Sequence, residues 1–564
     1  MRRKNQLSWW LLFFAAAVVV NILAAYFHAR FDLTADNRYS ITPATKDLVR
    51  ELDSVVTIDV FLKGDLPAEF RRLSAASQEF LADLRETNAS KIRYRFVDPL
   101  SEAGSGKTWA DSLQSIGASP INVNVQLKAG EENKIIFPYA VLKYGSYQSL
   151  VPLFQSSKRY PTIADLNNAE ALMEYQFAKV LDQMTNPQRP SVAYAVGNGQ
   201  PMNAQVFDLQ QTISSNYHFG LYNVASQKAI PDGISVLLIV KPTEQFTDME
   251  KLKIDQYIMR GGNVLWFIDN LHAEQDSLSF KSKLIAYERG LNIADLLFNY
   301  GVRINPDLIM DLQCDFLPFA VGGSKTQPQY EFLHWNYYPL FESKENHIIN
   351  KGLGLVAGRY VNSIDTIEKA EIRKTFLLQS SSNSRSISTP ALISPNENRN
   401  QPDPQVFNRK DIPAAVLLEG NFTSFFKNRL SAAQRDSLGP TGGFKENTSR
   451  ETAMIVVADG DIVLNDVSPK QGPLPMGVNL FTVGSNFEFQ FANRDFLLNC
   501  LEYLTSKQTI IQTRNKEIVL RLLDTKKVDE QKTSWQLITI ALPVVLIIMV
   551  GIIYQQLRRY RFAR

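Results

Sequence analysis

The sequence contains few of the residues that build covalent or metal-centred frameworks. Only two cysteines, Cys314 and Cys500, and five histidines occur among its 564 residues. Two cysteines exclude a disulfide framework and a four-cysteine zinc site, although they could form one disulfide or remain two free thiols. Because the histidines are scattered and form no His-Glu-x-x-His motif, we expect no metal centre and no cofactor.

A complete nucleotide-binding loop is also missing. The segment Gly104-Ser105-Gly106-Lys107-Thr108 comes nearest to one, since it follows a predicted strand and precedes a helical stretch. The P-loop consensus requires a glycine five positions before Gly106, where this chain has Ser101, and Glu102 would place a carboxylate beside the phosphates. We therefore interpret the segment as a solvated turn and expect ATP to be bound by another chain.

Nucleophilic chemistry lacks its usual sequence signals. The chain has no Gly-x-Ser-x-Gly elbow, and Cys314 has no basic neighbour in the sequence. Asp269 ends the apolar strand 264–268 and could hold magnesium, but strand-end aspartates more often cap the next turn. The aromatic segment 332–340 could stack on a sugar, although packing in a core or an interface is the commoner role. We expect no catalytic residue and no enzymatic activity.

Two long apolar runs dominate what the sequence does contain. Residues 8–27 and 535–554 are uncharged, and each run has the length of about 20 residues that a helix needs to cross a bilayer. Basic residues flank them on the outer sides: Arg2, Arg3, Lys4, Arg558, Arg559, Arg561 and Arg564. By the positive-inside rule, we expect both termini in the cytoplasm and the intervening region outside it.

The first run has a second interpretation, a cleaved signal peptide, because such peptides also have a basic start and an apolar stretch. The run is longer than the usual apolar region, and residues 23–28 make a poor cleavage site, so an uncleaved anchor is favoured. We assign 1–28 to a cytoplasmic tail and first transmembrane helix, 506–534 to a juxtamembrane helix, and 535–564 to the second transmembrane helix and a basic tail.

Each run contains one residue that lipid alone accommodates poorly. Asn21 carries a polar amide in the first run, and Pro543 frees a backbone carbonyl in the second. Because a neighbouring helix can satisfy such groups, we predict that Asn21 and Pro543 contact a membrane partner.

Little charge remains for a nucleic-acid partner. The whole chain has a formal charge of +3, and without the seven cations that flank the apolar runs the rest has −4. A mildly acidic region gives nucleic-acid binding no electrostatic support.

Residues 29–186 are predicted to form a first α/β domain. It begins with a β-α-β unit, in which the strands 55–61 and 92–97 flank a helix opened by Pro67. Three further strands and a helix over residues 164–184 complete an order that resembles a thioredoxin-like fold. The absence of a Cys-x-x-Cys motif excludes thiol redox chemistry.

Residues 187–505 are predicted to form a doubly wound α/β domain. The apolar strands 191–196, 234–240 and 264–268 alternate with helices, as in a parallel sheet buried on both faces. One helix is expected to be capped by Thr247 and closed by Gly261-Gly262. Two polar stretches, 380–404 and 431–450, are predicted to be solvated or disordered loops.

The end of the first strand in this domain supplies the candidate ligand-binding site. Gly197, Asn198, Gly199 and Gln200 follow the strand 191–196 directly. A tight glycine turn at the carboxyl end of a parallel strand suits an anion or a small ligand, while a purely structural turn is the alternative.

Several segments taken together resemble one family. They are residues 30–46, 97–99, 173–178, 194–200, 253–262, 300–307 and 493–495. On these segments the chain resembles the ABC-transporter auxiliary proteins, and most closely those of the type of the G subunit of the Gld gliding-motility transporter of Bacteroidota. The segments extend over most of the chain, and their combination is specific although each piece alone is not.

The resemblance implies a non-enzymatic auxiliary, substrate-binding-like subunit that supports gliding motility. Such a subunit would be anchored in a bacterial inner membrane with its domains in the periplasm, and its partners would be a polytopic permease, a cytoplasmic ATPase and the lipid bilayer.

The resemblance also implies that the second domain is similar to a class I glutaminase sheet, of the flavodoxin type, without its catalytic cysteine. Where related chains read Gly-His-Gly-Glu, this one has Gly197-Asn198-Gly199-Gln200, which puts acid–base chemistry there in doubt. A membrane-anchored glutaminase-like or sugar-processing hydrolase, or a structural scaffold without a small ligand, are the alternatives.

Because the glycine-rich segment is interpreted as a solvated turn, Lys107→Ala should change the free energy of unfolding by less than about 0.5 kcal/mol. Thermal unfolding of the two proteins, with and without ATP, measures this. An ATP-dependent stabilisation that is present in the native chain and lost in the variant would contradict the interpretation.

Overall fold

The computed structural model describes residues 13–16, 18–19, 40–104, 107–118, 120–127, 130–154, 163–185, 189–275, 283–324, 327–342, 347–395, 397, 402–437, 443–505, 513 and 525–562. The chain divides into two compact units, Met1–Glu517 and Ile518–Arg564.

The helices, in chain order, are α1 Pro43–Arg50, α2 Ala68–Thr87, α3 Trp109–Ser115, α4 Ile163–Thr185, α5 Phe207–Asn216, α6 Asp248–Met259, α7 Ala294–Tyr300, α8 Ala432–Ser437, α9 Asn493–Thr505 and α10 Thr525–Phe562. The strands are β1 Val56–Val60, β2 Ile92–Phe96, β3 Glu102–Gly104, β4 Lys107–Thr108, β5 Ile121–Leu127, β6 Gly130–Ile136, β7 Tyr139–Tyr144, β8 Tyr147–Pro152, β9 Ser191–Val196, β10 His218–Asn223, β11 Val236–Val240, β12 Asn263–Phe267, β13 Leu271–His272, β14 Leu284–Glu288, β15 Val302–Ile304, β16 Asp307–Asp311, β17 Cys314–Ser324, β18 Gln327–Phe341, β19 Val356–Ala357, β20 Ile364–Thr366, β21 Ile372–Gln379, β22 Ser384–Ser388, β23 Ala391–Ile393, β24 Pro413–Gly420, β25 Thr452–Val457, β26 Val467–Ser468 and β27 Gly472–Pro473.

The first large sheet has the strand order β2-β1-β7-β8. β1 and β2 are parallel and joined through α2, which confirms the predicted β-α-β unit, whereas β7 and β8 run antiparallel to their neighbours. The apolar faces of α2 and α4 pack on this sheet, with Leu73 and Phe177 fully buried in the shared core.

The described ends of the glycine-rich segment lie on two paired strands. Gly104 at the end of β3 pairs with Lys107 at the start of β4, and residues 105–106 lie outside the described ones. Thr108 then caps α3 in a reciprocal capping box with Asp111. The segment therefore connects two short antiparallel strands, whereas a nucleotide-binding loop connects a strand directly to a helix.

The second large sheet has the order β10-β9-β11-β12-β25-β24-β21, and its first five strands are parallel. Alternate residues of β9 enter two separate cores: Val192 and Tyr194 pack on one face, Ala193 and Ala195 on the other. The sheet is thus buried on both faces. At one edge the sheet departs from the parallel arrangement expected for this domain, because β24 pairs antiparallel with both β21 and β25.

The helix predicted to begin after Thr247 has the expected ends. Thr247 and Glu250 form a capping box at the start of α6, and Gly261, with φ of 91°, terminates it. A Cβ atom at Gly262 would lie 2.3 Å from the ring of Tyr257, so only glycine fits under that ring.

The polar stretch 380–404, expected to be a loop, carries two strands. β22 pairs with β16 over five residues, and β23 pairs with β14. Backbone hydrogen bonds hold these strands, so the stretch needs few apolar residues. In the other polar stretch, 431–450, the structure places the short helix α8.

The C-terminal unit contains the one helix of the described residues that has the length and composition to cross a membrane. Within α10, the candidate span Trp535–Arg561 has 27 residues, and its most apolar 18-residue window has a mean hydropathy of 2.8. Pro543 lies inside this helix. Of the first apolar run, residues 13–16 and 18–19 are described and helical, and Asn21 lies outside the described residues.

Candidate functional site

The carboxyl ends of the parallel strands bring together side chains that are far apart in the sequence. Residues 197–200 follow β9, Lys241 follows β11, Asp269 follows β12, and the Asp459-Gly460-Asp461 turn follows β25. In open α/β sheets, ligands bind at this edge, which makes it the candidate functional site.

Lys241 is the centre of the cluster at this edge. It is 7% exposed, and its Nζ lies 3.1 Å from Asp269 Oδ2, 3.0 Å from Glu274 Oε2 and 2.6 Å from Asp461 Oδ1. Burial opposes its charged form, but the charges of Asp269, Asp461 and Glu274 outweigh burial and raise the pKa of Lys241 well above its usual value. The ammonium is therefore protonated at neutral pH and is neither a nucleophile nor a base.

The backbone around the cluster is shaped for this contact. Lys241 has a positive φ of 43°, which is uncommon for a side chain with a Cβ atom. A Cβ atom at Gly460 would lie 2.6 Å from Lys241 Cβ and 3.1 Å from Asp269 Oδ1. Only glycine at position 460 therefore lets the lysine stem and the aspartate approach each other.

A second cation completes the cluster. The guanidinium of Arg359 donates two hydrogen bonds, of 2.8 and 2.7 Å, to Asp466, and its backbone N–H donates to Asp459 Oδ2 at 2.7 Å. Burial, with the charges of Asp269 and Asp461, raises the pKa of Asp459 well above its usual value, so this carboxyl group favours the neutral form.

Three carboxylates of this cluster have the spacing of a metal site. Suitable oxygens of Asp269, Asp459 and Asp461 lie within 4.8 Å of one another. The Lys241 ammonium already lies against two of them, where it supplies the positive charge that a metal ion would bring. The arrangement is an internally neutralised ion cluster rather than an open ligand set.

The predicted binding loop lies beside this cluster, with its two amide residues buried and its two glycines exposed. Asn198 and Gln200 are 2% and 7% exposed, and the Asn198 backbone N–H donates to Gln200 Oε1 at 2.8 Å. The backbone N–H groups of Thr243 and Glu244, two and three residues after Lys241 on the same turn, donate to Asn198 O at 3.0 Å.

Two side-chain atoms of the loop remain without a hydrogen-bond partner among the described residues. They are the acceptor Asn198 Oδ1 and the donor Gln200 Nε2. Since Asn198 Nδ2 donates to Glu250 Oε2 at 3.1 Å, the amide orientation follows from that contact. The loop thus offers one acceptor and one donor, and no group that titrates near neutral pH.

The cysteines are not positioned for chemistry. Cys314 and Cys500 are both buried and free rather than paired. His334 Nδ1 lies 3.8 Å from Cys314 Sγ, a basic neighbour that the local sequence did not reveal. Burial, with the charges of Asp311 and Asp315, nevertheless raises the pKa of Cys314, which favours the inert thiol.

The aromatic segment 332–340 forms part of β18 and belongs mainly to a core. Trp335, Tyr337 and Tyr338 are 1% exposed and pack in one cluster. Stacking on a sugar would require exposed rings, so core packing, the commoner role, describes these three side chains.

Sequence reasoning missed Lys241, Glu274 and Arg359. Asp269 was expected to cap the turn that follows its own strand, but the hydrogen bond that it accepts comes from the backbone of Gly460, 191 residues away. The available signal was positional: Lys241 and Asp459 each come directly after an apolar strand, and the carboxyl ends of parallel strands meet at one edge.

Removing the Lys241 ammonium should be costly. Lys241→Met leaves buried carboxylates without a counter-ion and should lower the free energy of unfolding by about 3–5 kcal/mol at pH 7. Burial raises the pKa of Asp461 and the Lys241 charge opposes this, so in the variant the folded-state pKa of Asp461 rises further above its unfolded value. The loss should therefore shrink at pH 5, where protonation relieves the repulsion, and chemical denaturation at the two pH values measures it.

Lys251→Met is the matched control. The Lys251 side chain is also buried, with 2% of its surface exposed, but the side chains of its partners Asp248 and Asp295 are 82% and 43% exposed. Water can solvate those carboxylates, so the control should lose about 1 kcal/mol. Equal losses for the two variants, or a loss at Lys241 that is independent of pH, would contradict the assignment of Lys241 as the neutralising cation.

Comparison with solved structures gives distant similarities, of which two are described. An mmIFT52 N-terminal domain is 12% identical, with a TM-score of 0.30, over 56% of this chain and 97% of that one. The exo-beta-1,4-mannosidase Op5Man5 from Opitutaceae bacterium strain TAV5 is 10% identical, with a TM-score of 0.18, over 76% of this chain and 51% of that one. Scores this low support no inference about fold or function. No curated protein matches the chain.

Comparison with protein families is more informative. A domain of unknown function matches residues 35–143. The family described as an ABC-type uncharacterized transport system matches residues 189–500, which include the large sheet and the ion cluster at its edge. Because this match extends over more than half of the sequence, the chain belongs to the ABC-type uncharacterized transport system family.

Proposed function

We propose that the protein is a non-enzymatic, substrate-binding-like auxiliary subunit of an ABC transporter complex that serves gliding motility. Family membership, which makes it a transport-associated accessory protein, is the observation that carries the proposal. The apolar helix Trp535–Arg561 supports membrane association. The partners are a polytopic permease and a cytoplasmic ATPase.

The strand orders support the more specific domain assignments. A first sheet with the order β2-β1-β7-β8, built from a parallel β-α-β unit and an antiparallel pair, is consistent with a thioredoxin-like domain. The five parallel strands β10-β9-β11-β12-β25 follow the 2-1-3-4-5 order of doubly wound flavodoxin-type sheets. A glutaminase-like second domain is consistent with this order.

The chemistry at the sheet edge supports a binding role over catalysis. Lys241 is neutralised by three carboxylates, and the Cys314 thiol is buried. The loop 197–200 supplies two amides, which neither accept nor release protons near neutral pH. We propose that Asn198 Oδ1 accepts a hydrogen bond from a donor of a small ligand and that Gln200 Nε2 donates one to an acceptor of that ligand, once local opening exposes both atoms.

The proposed topology places both termini in the cytoplasm and the domains in the periplasm, with membrane helices in the runs 8–27 and 535–554. Cysteines introduced at Ser431 and Tyr560, both exposed, test it because the native cysteines are buried. In spheroplasts, a membrane-impermeant maleimide should label Ser431→Cys at once. It should label Tyr560→Cys only after permeabilisation, and the reverse pattern would overturn the topology.

Purification of the full-length chain in mild detergent tests the transporter assignment. The chain should co-purify with a permease and an ATPase, and its absence from any such complex would contradict the proposal.

Replacing residues 535–554 by an unrelated apolar helix removes Pro543. Since one interhelical polar contact contributes about 0.6–2 kcal/mol, recovery of the partners should fall about 3- to 30-fold if the native helix contacts the permease. Replacing residues 8–27 in the same way tests Asn21. If both replacements leave the recovery of the partners unchanged, the two helices only anchor the chain in the membrane.

A further inference from the structure

Two neighbouring residues of α4 bind two distant parts of the chain. Glu174 is 2% exposed, and its Oε1 accepts hydrogen bonds from Thr42 N at 2.8 Å and from Thr42 Oγ1 at 2.7 Å. Thr42 is the N-cap of α1. A buried carboxylate thus fixes the point at which the chain that follows the first apolar run enters the folded region.

Tyr175, the next residue, binds the other end of the folded region. It is 3% exposed, and its hydroxyl donates to Glu502 Oε2 in α9. Lys179, one turn further along α4, lies 3.7 Å from the same carboxylate and 5.7 Å from the centre of the Tyr175 ring. Glu502 belongs to the last turn of α9, after which the chain leads to α10.

The helix that carries both contacts is itself held in place. Met173 and Phe177 are buried in the core of the first large sheet. On another side, Leu172 packs against the loop before β19, where a Cβ atom at Gly352 would lie 3.0 Å from Leu172 Cδ1. Because α4 is anchored in the core of the first large sheet and against the loop before β19, the positions of Glu174 and Tyr175 are fixed.

We infer that α4 is a clamp. Within one turn of this helix, Glu174 holds the chain that follows the first apolar run, and Tyr175 holds the chain that leads to the second. The ends are far apart in the sequence, yet both depend on the same backbone hydrogen bonds of α4. A disturbance of that turn must therefore release both ends together, whatever partner the apolar segments contact.

Hydrogen exchange of the full-length chain in detergent distinguishes a clamp from two independent tethers. Tyr175→Phe removes one hydroxyl and should speed exchange in the last turn of α9 about tenfold, while Glu174→Gln should do the same at α1. Each of these variants should leave the other end nearly unchanged. Tyr147→Phe and Glu79→Gln, at exposed positions, are the matched controls and should alter neither end.

The deciding variant is Gln176→Gly, which keeps both binding side chains but loosens the shared turn. Glycine in a helix interior should speed local opening about fivefold, and we expect this increase at α1 and at the end of α9 alike. Gln183→Gly, at an exposed position near the end of the same helix, should affect neither. A response of Gln176→Gly at only one end, or at neither, would overturn the clamp.

Discussion

Burial of the Lys241 ammonium is the constraint on which the carboxyl edge of the large sheet depends. A cation removed from water is tolerated only where anions and hydrogen bonds replace its hydration, and Asp269, Glu274 and Asp461 supply them. Asp269 and Asp461 lie in the turns that follow the neighbouring strands β12 and β25, so their contacts with Lys241 help to fix the relative positions of β11, β12 and β25. Gly460 follows from the same constraint, because any larger residue would separate the charges.

The segments that carry the family resemblance mostly build the fold rather than a reaction centre. Asp255 is fully buried and accepts hydrogen bonds from Tyr300, Ser424, Phe425 and Gln256. Asn493 is hydrogen-bonded to the backbone of Ala357 and of Ile462, which joins α9 to two other elements. A resemblance built on such residues supports a shared fold more strongly than a shared reaction. The family match confirms the coarse assignment as a transport-associated protein.

The sequence predicts those parts of the fold whose stabilisation is local or periodic. The helix from Thr247 to Gly261 could be placed because its capping box and its terminal glycine are encoded within a few residues. β22 could not be predicted, because apolar residues do not alternate along Ser384–Ser388 and the segment is a strand through its pairing with β16. At the candidate site, the loop 197–200 was visible as a glycine turn. Lys241 pairs with residues up to 220 positions away. This pairing depends on the order of the strands in the sheet, which local sequence patterns do not predict.

An accessory role agrees with how the chain disposes of its buried charge. Near the sheet edge, Lys241 and Arg359 are each bound to carboxylates of this same chain, and Asp208 is likewise paired with Arg494. Catalysis usually requires the opposite, a titratable group kept close to neutral pH and open to substrate. In the proposed complex, such a domain would offer a partner its shape and its backbone polar groups, and nucleotide chemistry would belong to the ATPase subunit.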